Sequence, residues 1–361
     1  MKNRYNILLL SKYDNLGPSS RVRFFQYIKY LEENGLKITI QPLMPNSYIE
    51  SIMSGKKFNK FKVFYYYFRR FIFLLFYQKK YDLIWLEKEL FPYSPYVIEK
   101  FLLKKDYILD YDDAVFHLYD KNKSSLIRFF LSKKISKIMY SSKLVICGNQ
   151  YLREYAEQAK AKNIITIPTV VSKKKYDIQE LKENDNDNII IGWIGSSTTE
   201  IYLKDIESVF SKLSKDFKIE LHCIGAKNLK INNVNLKIIP WSDSTEVELL
   251  RKIDIGIMPL HFGHFEQGKC GYKLIQYMAL SKPVIASPVG VNKMLVQNNI
   301  NGFLANNLDE WYNFLTILLK DKEKRLAMGA EGKSLFLSSF TKEIYEDKLL
   351  NLFFNILNTN N

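Results

Sequence analysis

The chain has 361 residues, 47% hydrophobic and 25% charged, a composition typical of folded domains and unlike that of disordered or fibrous chains. Its 53 Lys and Arg residues against 38 Asp and Glu give a net charge of +15, which favours an anionic partner: a phosphate-bearing substrate, a nucleic acid or an acidic membrane surface. The three cysteines have neither disulfide nor metal spacing, so we expect reduced thiols in a reducing compartment.

The N-terminal half alternates strands and helices in the order of a parallel, doubly wound α/β sheet. Residues 5–10 predict a strand rather than a signal peptide, residues 21–34 a helix, and residues 36–40 a second strand. The loop after the first strand lies at the carboxyl edge, where such sheets bind ligands. We therefore predict that it meets a charged ligand through four residues: Ser19, Ser20, Arg21 and Arg23. For Arg23 the alternative is a solvated helix residue.

A basic and aromatic segment follows at residues 58–80. At helical spacing one face carries five apolar side chains: Phe61, Phe64, Phe68, Phe71 and Leu75. Lysines and arginines, Arg69 and Arg70 among them, are predicted to surround this face. The pattern suits a helix lying in a membrane interface, and a core helix is the alternative. Residues 124–143 predict a second basic helix. A span of roughly twenty uncharged residues is absent from the sequence.

Acidic residues follow two further predicted strands. The strand at 81–86 leads into Glu87 to Glu89, and the strand at 107–109 into Asp110 to Asp113. Asp112 and Asp113 are predicted to orient an acceptor hydroxyl or a donor sugar, with loop ordering as the alternative. Two adjacent aspartates without a third ligand predict no metal site. A zinc site at His261 and His264 would need two more ligands, so none is predicted there either.

A polar stretch up to residue 188 predicts an interdomain linker, after which the β/α order restarts. Residues 189–194 predict a strand that ends in the loop Gly195 to Thr199, and residues 201–213 a helix. A glycine lets the backbone approach a ligand closely, and the hydroxyls of Ser196 and Ser197 can hold phosphate oxygens. Residues 253–258 predict a later strand. Trp193 is predicted to be packed.

The loop after residues 253–258 combines a carboxylate, two glycines and two lysines at the start of a helix predicted from Tyr272: Glu266, Gly268, Lys269, Cys270, Gly271 and Lys273. Free backbone N–H groups and the helix dipole make such a helix start favourable for an anion. The pattern predicts a sugar-phosphate site. The alternative is an ordinary strand-to-helix loop with solvated lysines.

These motifs together resemble those of a known family. The matching pieces are Gly17–Arg21, Asp110–Ala114, Gly192–Ser196 and, as the specific one, the stretch from Gly268–Lys273 to Gly290. The chain resembles family 4 of the retaining nucleotide-sugar glycosyltransferases, in particular the subgroup of bacterial surface-polysaccharide clusters. The resemblance covers essentially the whole chain.

The resemblance implies the GT-B fold: two facing Rossmann-like domains with a C-terminal helix that crosses back to the N-terminal domain. It divides the chain into an acceptor-side domain (1–172), a linker (173–188), a nucleotide-sugar domain (189–340) and the C-terminal helix (341–361). It also implies no metal and no cofactor besides the substrate, because basic residues and helix N-termini stabilise the leaving diphosphate.

The resemblance assigns roles to individual residues. Gly195, Ser196 and Ser197 would line the phosphates, Gly268 to Gly271 with Lys273 would hold the diphosphate, and Glu266 would bind sugar hydroxyls. Trp241 would sit near the base. Gln276 stands where the family usually has a glutamate that binds the ribose, and Glu87 to Glu89 stand where it has a histidine loop.

The sequence thus predicts a cytoplasmic glycosyltransferase, peripheral on the inner face of the membrane, that moves a sugar to a glycan or lipid-linked acceptor with retention. A non-catalytic basic protein that binds membrane or nucleic acid is the alternative, although no nucleic-acid motif is present. A dinucleotide oxidoreductase would need a G-x-G-x-x-G fingerprint, which the sequence lacks.

Overall fold

The computed structural model describes residues 5–177 and 188–358. The chain forms two compact units. Unit 1 comprises Met1–Thr169, Gln267–Cys270 and Glu343–Asn361, and unit 2 comprises Val170–Glu266 and Gly271–Lys342. The short segment Gln267–Cys270 thus belongs to unit 1 although it lies within the predicted nucleotide-sugar domain.

Unit 1 contains a six-stranded sheet in which all neighbours are parallel. Its strands are β1 (Tyr5–Leu10), β2 (Leu36–Ile40), β3 (Leu83–Glu87), β4 (Tyr107–Tyr111), β5 (Leu144–Cys147) and β6 (Ile164–Thr166). The order is β2-β1-β3-β4-β5-β6, so the direction of the chain reverses between β1 and β3. In open parallel sheets this reversal opens a crevice at the carboxyl ends of the two strands.

Helical segments connect these strands. They are Pro18–Ser20, a π-helical turn at Arg21–Phe25, Gln26–Glu33, Asn46–Met53, Lys60–Tyr77, a 3₁₀ turn at Gln78–Lys80, Tyr96–Leu102, His117–Asp120, Ser125–Leu131, Lys134–Ser141 and Gln150–Gln158. The C-terminal helix Lys342–Asn358 also packs in unit 1, where the ring of Phe353 lies 5.1 Å from that of Trp85. This confirms the predicted return of the C-terminal helix to the N-terminal half.

The helix Lys60–Tyr77 corrects one prediction about its charges. Arg70 does not lie beside an exposed aromatic face, because its side chain is fully buried. Its guanidinium donates to the Gln41 side-chain oxygen at 2.8 Å and to the Gln41 backbone oxygen at 2.6 Å, and it also contacts the carbonyl of Ser11. Arg70 therefore fastens this helix to the segment that follows β2.

The predicted helix at 124–143 is divided in two, Ser125–Leu131 and Lys134–Ser141. Lys134, at the start of the second helix, is 1% exposed and not solvated. Its ammonium lies 2.5 Å from the carboxylate of Glu89 and 2.8 Å from that of Glu99, both of them buried. A buried cation between two buried carboxylates fixes the helix against the residues that follow β3.

Unit 2 contains a second six-stranded parallel sheet. Its strands are β7 (Ile189–Ile194), β8 (Ile219–Ile224), β9 (Asn235–Ile239), β10 (Ile255–Met258), β11 (Val284–Ala286) and β12 (Gly302–Leu304), in the order β12-β11-β10-β7-β8-β9. Here the direction of the chain reverses between β7 and β10. β8 and β10 are buried along their whole length, as expected for strands covered on both faces.

The helices of unit 2 are Lys173–Tyr176, Ile201–Lys204, Glu207–Asp216, Glu246–Arg251, His264–Gln267, Tyr272–Ala279, Asn292–Leu295, Leu308–Lys320 and Lys322–Ser339. The predicted single helix at 201–213 is therefore two helices. Of the predicted linker, residues 178–187 lie outside the described residues, and Lys173–Tyr176 is helical.

Substitution of the buried Lys134 tests the packing in unit 1. In Lys134→Met, Glu89 and Glu99 lose their cation, so we expect the free energy of unfolding to fall by about 3 kcal/mol near neutral pH. Burial already raises the pKa of Glu99 against the opposing effect of Lys134, and removing the ammonium raises that pKa further. A carboxyl with a pKa above its unfolded value stabilises the fold as pH falls, so the deficit should shrink toward about pH 5.

Urea unfolding at both pH values measures this effect. The exposed neighbour Lys133 provides the matched control, because Lys133→Met leaves both carboxylates paired. An equal, pH-independent loss of stability in the two variants would contradict the assignment.

Candidate functional site

The reversal between β7 and β10 places two loops of unit 2 side by side. The loop after β7 begins at Gly195, and the chain after β10 leads to Glu266. Gly195 donates its N–H to the carbonyl of Ile224 at 2.9 Å, which holds the loop against the end of β8. The carboxyl ends of β7, β8 and β10 thus form one edge that carries the polar residues predicted for the donor.

Gly195 is required sterically at this edge. A Cβ atom there would overlap the ring of Trp193 and would lie 2.8 Å from the ammonium nitrogen of Lys273. Lys273 in turn lies over the Trp193 ring, 4.3 Å from its centroid, and Trp193 is fully buried. The structure therefore brings Lys273 next to the loop Gly195–Thr199, called the glycine loop below, with an aromatic ring beneath its charge.

The hydroxyl groups of the glycine loop form a compact turn. The side-chain oxygens of Ser196 and Thr198 are 2.8 Å apart, and the Thr199 hydroxyl donates to the carbonyl of Ser196 at 3.0 Å. Ser196 is exposed and Ser197 partly exposed. Gly225 supports the loop from β8, because a side chain at this position would collide with the carbonyl of Gly195.

Lys273 belongs to the first turn of the helix Tyr272–Ala279. The preceding residue, Gly271, has the left-handed conformation with φ of 67°, which glycine adopts without strain. A Cβ at Gly271 would also overlap the side chain of Leu295. The helix start thus combines a positive side chain with the unsatisfied N–H groups of a helix N-terminus, an arrangement suited to an anion.

Glu266 is held in place by an aromatic residue from the loop-proximal helix Ile201–Lys204. The hydroxyl of Tyr202 donates to Oε1 of Glu266 at 2.8 Å. The imidazole of His261 packs edge-on against the Tyr202 ring at 4.7 Å and lies 2.7 Å from Asp205. A partly exposed carboxylate in a fixed orientation can accept hydrogen bonds from hydroxyl groups of a ligand.

Trp241 and Gln276 belong to one buried hydrogen-bond chain. The indole N–H of Trp241 donates to Glu246 at 2.8 Å, and Glu246 also accepts from the hydroxyl of Tyr176 at 3.1 Å. The side-chain amide of Gln276, which is 1% exposed, donates to the same hydroxyl at 2.7 Å. Gln276 thus connects through Tyr176 and Glu246 to Trp241, and its contact with a ribose stays a prediction.

In unit 1 the corresponding edge lies at the ends of β1 and β3. Ser19 and Ser20 each donate a hydroxyl to the carboxylate of Glu87 at 2.6 Å. Ser20 and Glu87 are buried, and Arg21 begins the π-helical turn that follows. The two predicted acceptor-side serines therefore join the loop after β1 to the end of β3.

Lys88, the next residue, is the strongest feature of this edge that the sequence analysis missed. It is buried and has a left-handed backbone with φ of 63°, which is uncommon outside glycine. Its ammonium lies 2.6 Å from Asp112 and 3.8 Å from Asp113. The run Glu87–Glu89 marked this position by its charges, but only the fold shows that the lysine points to the two aspartates.

The pKa values of the two predicted aspartates are shifted in opposite directions. Burial alone would raise the pKa of Asp112, but the adjacent ammonium of Lys88 outweighs it and the pKa is lowered. For Asp113, burial and the charge of Asp112 raise the pKa, because Lys269 and Lys88 oppose them only in part. Asp110 lies within β4 rather than after it, where burial raises its pKa to about 6 although it pairs with Arg23 at 2.8 Å. Arg23 is therefore neither solvated nor exposed to a ligand, because its side chain is buried in this ion pair.

The segment Gln267–Cys270 lies against the same edge of unit 1. The side-chain amide of Asn149 donates to the carbonyls of Gly268 at 2.9 Å and Lys269 at 3.1 Å. The thiol of Cys270 donates to the carbonyl of Asp112 at 3.1 Å, and Lys269 lies 3.7 Å from Asp113. Of the predicted loop, Gly268, Lys269 and Cys270 are thus assembled in unit 1 with the aspartates. In unit 2, Lys273 lies beside Gly195, whereas Gly271 packs against Leu295.

Two further histidines have local hydrogen-bond partners. His117 bonds Asp120 at 2.7 Å and Tyr151 at 2.8 Å, and His222 is buried beside Glu220. Over residues 5–177 and 188–358, no group of three or more His, Cys, Asp or Glu side chains is placed to hold a metal ion.

The burial of Cys270 generates a second test. Burial raises the pKa of the thiols of Cys147 and Cys223 to about 12 and that of Cys270 higher still, so none of them is a thiolate at neutral pH. We expect a disulfide reagent such as Ellman's reagent to modify these thiols at least about a hundredfold more slowly in the folded protein than in urea. Thr198→Cys, in the exposed glycine loop, supplies a reactive control thiol. Modification of Cys270 as fast as that control would contradict its position.

Comparison with known proteins supports the interpretation of unit 2. Residues 189–321 match the family model of glycosyl transferases group 1, a segment that includes both the Gly195 loop and the helix at Tyr272. No curated protein matches the chain significantly.

Solved structures match over nearly the full length. A glycosyltransferase from Rickettsia africae ESF-5 is 17% identical, with a TM-score of 0.69 over 98% of this chain and 99% of its own. A sucrose-phosphate synthase from Thermosynechococcus elongatus is 13% identical, with a TM-score of 0.69 over 99% and 100%. Anabaena HepE in complex with UDP-glucose is also 13% identical, with a TM-score of 0.69 over 97% and 99%. These similarities, together with the two parallel six-stranded sheets, show that the chain has the GT-B fold.

Proposed function

We propose that this protein is a glycosyltransferase of family 4 that uses a nucleotide-diphosphate sugar as donor and retains the configuration of the transferred sugar. The observation that carries the proposal is the assembly of Lys273, the helix N-terminus at Tyr272 and the Gly195 loop at one edge of unit 2. The family match of residues 189–321 and the similarity to a structure holding UDP-glucose support the same donor class.

A diphosphate leaving group carries negative charge that grows as the bond to the sugar breaks. Lys273 supplies a full positive charge, and the helix N-terminus supplies N–H groups and a partial one. Because Gly195 has no side chain, phosphate oxygens can approach both its backbone and the ammonium. We propose that these groups perform the task a metal ion has in other transferases, and that no cofactor is needed besides the substrate.

The remaining residues of unit 2 have positioning roles in this proposal. Glu266, oriented by Tyr202, accepts hydrogen bonds from hydroxyls of the donor sugar. Trp241, held by Glu246, offers its ring to the nucleobase. Gln276 supports this arrangement from within, because its amide bonds Tyr176, which also bonds Glu246.

Unit 1 supplies the acceptor side. Asp113, whose pKa is raised and which is partly exposed, is suited to bond an acceptor hydroxyl, while Asp112 stays ionised beside Lys88. Ser19, Ser20 and Arg21 belong to the same edge. We propose a glycan or lipid-linked acceptor of cell-surface polysaccharide synthesis, reached from the cytoplasmic face of the membrane.

Nucleotide binding tests the donor site. We expect a nucleoside diphosphate, UDP first among a panel with GDP, ADP and CDP, to raise the thermal unfolding midpoint of the protein. In Lys273→Met the affinity should fall about tenfold to a hundredfold, because one charge-assisted contact to phosphate is lost. Isothermal titration measures the affinity. The control Lys252→Met, which removes an exposed lysine of unit 2 that pairs with Glu248, should bind like the parent.

If no nucleoside diphosphate binds, the donor site is wrong and a non-catalytic basic protein becomes the better description.

Sugar transfer tests the role of Glu266. In Glu266→Gln we expect kcat/KM for transfer or donor hydrolysis to fall about a hundredfold while affinity for the free nucleoside diphosphate is kept, because the carboxylate contacts the sugar and not the diphosphate. The exposed Glu331→Gln serves as control, and an NMR spectrum of the anomeric proton of the product reports retention. Full activity in Glu266→Gln, or an inverted product, would refute that part of the proposal.

A further inference from the structure

Large aromatic side chains remain exposed on one layer of helices in unit 1. In the helix Lys60–Tyr77, Phe61 is 85% exposed and Phe64 72%. In the helix Ser125–Leu131, Phe129 is 81% exposed and Phe130 69%. Exposure of large apolar side chains to water is unfavourable compared with burial. Contiguous patches of such side chains mark interaction sites.

The exposure does not come from a poorly attached helix. The opposite side of Lys60–Tyr77 packs into the core of unit 1 through the fully buried Leu74 and the partly buried Val63. Phe71, predicted on the aromatic face, is also partly buried against this core, so that face is narrower than predicted. The buried guanidinium of Arg70 bonds the backbone and side chain of Gln41. The helix is therefore fixed by one face, and its other face is left for a partner.

Four helices form this layer: Lys60–Tyr77, Tyr96–Leu102, Ser125–Leu131 and Lys134–Ser141. They occur in the connections from β2 to β3, β3 to β4 and β4 to β5, and right-handed crossovers that advance in one direction place their helices on the same side of the sheet. We call their outer surface the aromatic basic face.

The segment that follows β3 joins the outer helices of this layer. Tyr67 packs against Phe91 at 5.3 Å, and Lys134 donates to the carbonyl of Phe91 at 2.6 Å. Tyr93, half-exposed, stacks edge-on with Tyr119 at 5.5 Å, just before the helix Ser125–Leu131. Phe91 and Tyr93 therefore connect the helix Lys60–Tyr77 with the chain on either side of the helix Ser125–Leu131.

The charge of the aromatic basic face has a single sign. The four helices contain one acidic residue, Glu99, and it is buried with Lys134. Six of their cationic side chains are exposed: Lys60, Lys62, Arg69, Lys100, Arg128 and Lys137. A surface with exposed Phe and Leu side chains among lysines and arginines, and without exposed carboxylates, complements a negatively charged lipid surface.

We propose that the aromatic basic face docks on an anionic lipid bilayer, with Phe61, Phe64, Phe129 and Phe130 inserted at the level of the acyl-chain boundary. At this depth the transfer of phenylalanine side chains out of water is favourable. Binding to a nucleic acid would engage the cations but leave most of the apolar surface exposed to water. Within the described part of the chain, no helix has the length and apolar character to cross a bilayer. As the membrane partner of the proposed glycosyltransferase, this surface rests on the proposed function. Lipid binding itself requires no nucleotide, so the two can be tested separately.

Cosedimentation with vesicles tests the proposal on the full chain. The protein should bind vesicles of phosphatidylcholine mixed with phosphatidylglycerol at least about tenfold more tightly than vesicles of phosphatidylcholine alone, and rising salt should weaken binding. The double variants Phe61→Ser/Phe64→Ser and Phe129→Ser/Phe130→Ser should each lose at least about tenfold in affinity. Lys60→Gln/Lys62→Gln should lose the preference for the anionic lipid in part.

A matched control replaces exposed apolar side chains of unit 2. Met294 is 61% exposed and Leu326 58%, so Met294→Ser/Leu326→Ser removes comparable surface elsewhere and should bind vesicles like the parent. Nucleoside diphosphate binding should be unchanged in every Phe variant, because these residues lie outside the proposed donor site. Failure of lipid binding with intact nucleotide binding would therefore refute the docking surface alone.

Three results would overturn the proposal. The first is unchanged vesicle binding in both Phe double variants. The second is a dimer in sedimentation without lipid that the Phe variants abolish, since a second copy would then cover the face. The third is a single-stranded DNA affinity that falls with the same substitutions while vesicles do not bind. A circular dichroism melt of each variant shows that the exposed substitutions leave the fold intact.

Discussion

The absence of side chains at Gly195 and Gly225 is the constraint on which the proposed donor edge of unit 2 depends. Gly225 allows β8 to end against the carbonyl of Gly195, and Gly195 leaves room for the ammonium of Lys273 above the Trp193 ring. A methyl group at Gly195 would displace both the ring and the charge. Backbone N–H groups, hydroxyls and an ammonium can converge on one anion only because the β-carbons are missing.

The same topology produces two edges of different character. Each sheet reverses direction once, between β1 and β3 in unit 1 and between β7 and β10 in unit 2, and each reversal gathers polar residues from separate strand ends. In unit 1 these residues largely bind one another: Glu87 accepts from two serines, and Lys88 pairs with Asp112. Such mutual contacts fix side chains before any ligand arrives, which keeps the entropy cost of binding low.

The sequence predicts the strands and glycine loops well because their signals are local. The apolar runs predicted as strands match β1 to β4, β7 and β10 to within about two residues at each end. The glycines after β7 and β10 mark the places where the backbone turns into a helix. Buried ion pairs have no such local signal. Lys134 and Glu89 are 45 residues apart in the sequence, and Arg23 and Asp110 are 87 apart. In the sequence each of these cations therefore looks like a solvated residue of a helix, and only the fold brings its partner close. Lys88, paired with Asp112, and Arg70, bonded to Gln41, were missed because their partners are also distant in the sequence.

Once these ion pairs are known, the surface that carries the excess positive charge of the chain, +15 in total, can be identified. Arg23, Lys88 and Lys134 are neutralised inside unit 1 by Asp110, Asp112, Glu89 and Glu99, so they contribute no long-range field of their own. The excess must therefore come from surface residues, and the aromatic basic face carries six exposed cations on helices whose one carboxylate is buried. Composition alone left a phosphate ligand, a nucleic acid and a membrane equally possible. The exposed cations beside exposed phenylalanines favour the membrane for this surface, while Lys273 beside Gly195 provides a separate cation for the proposed phosphate ligand.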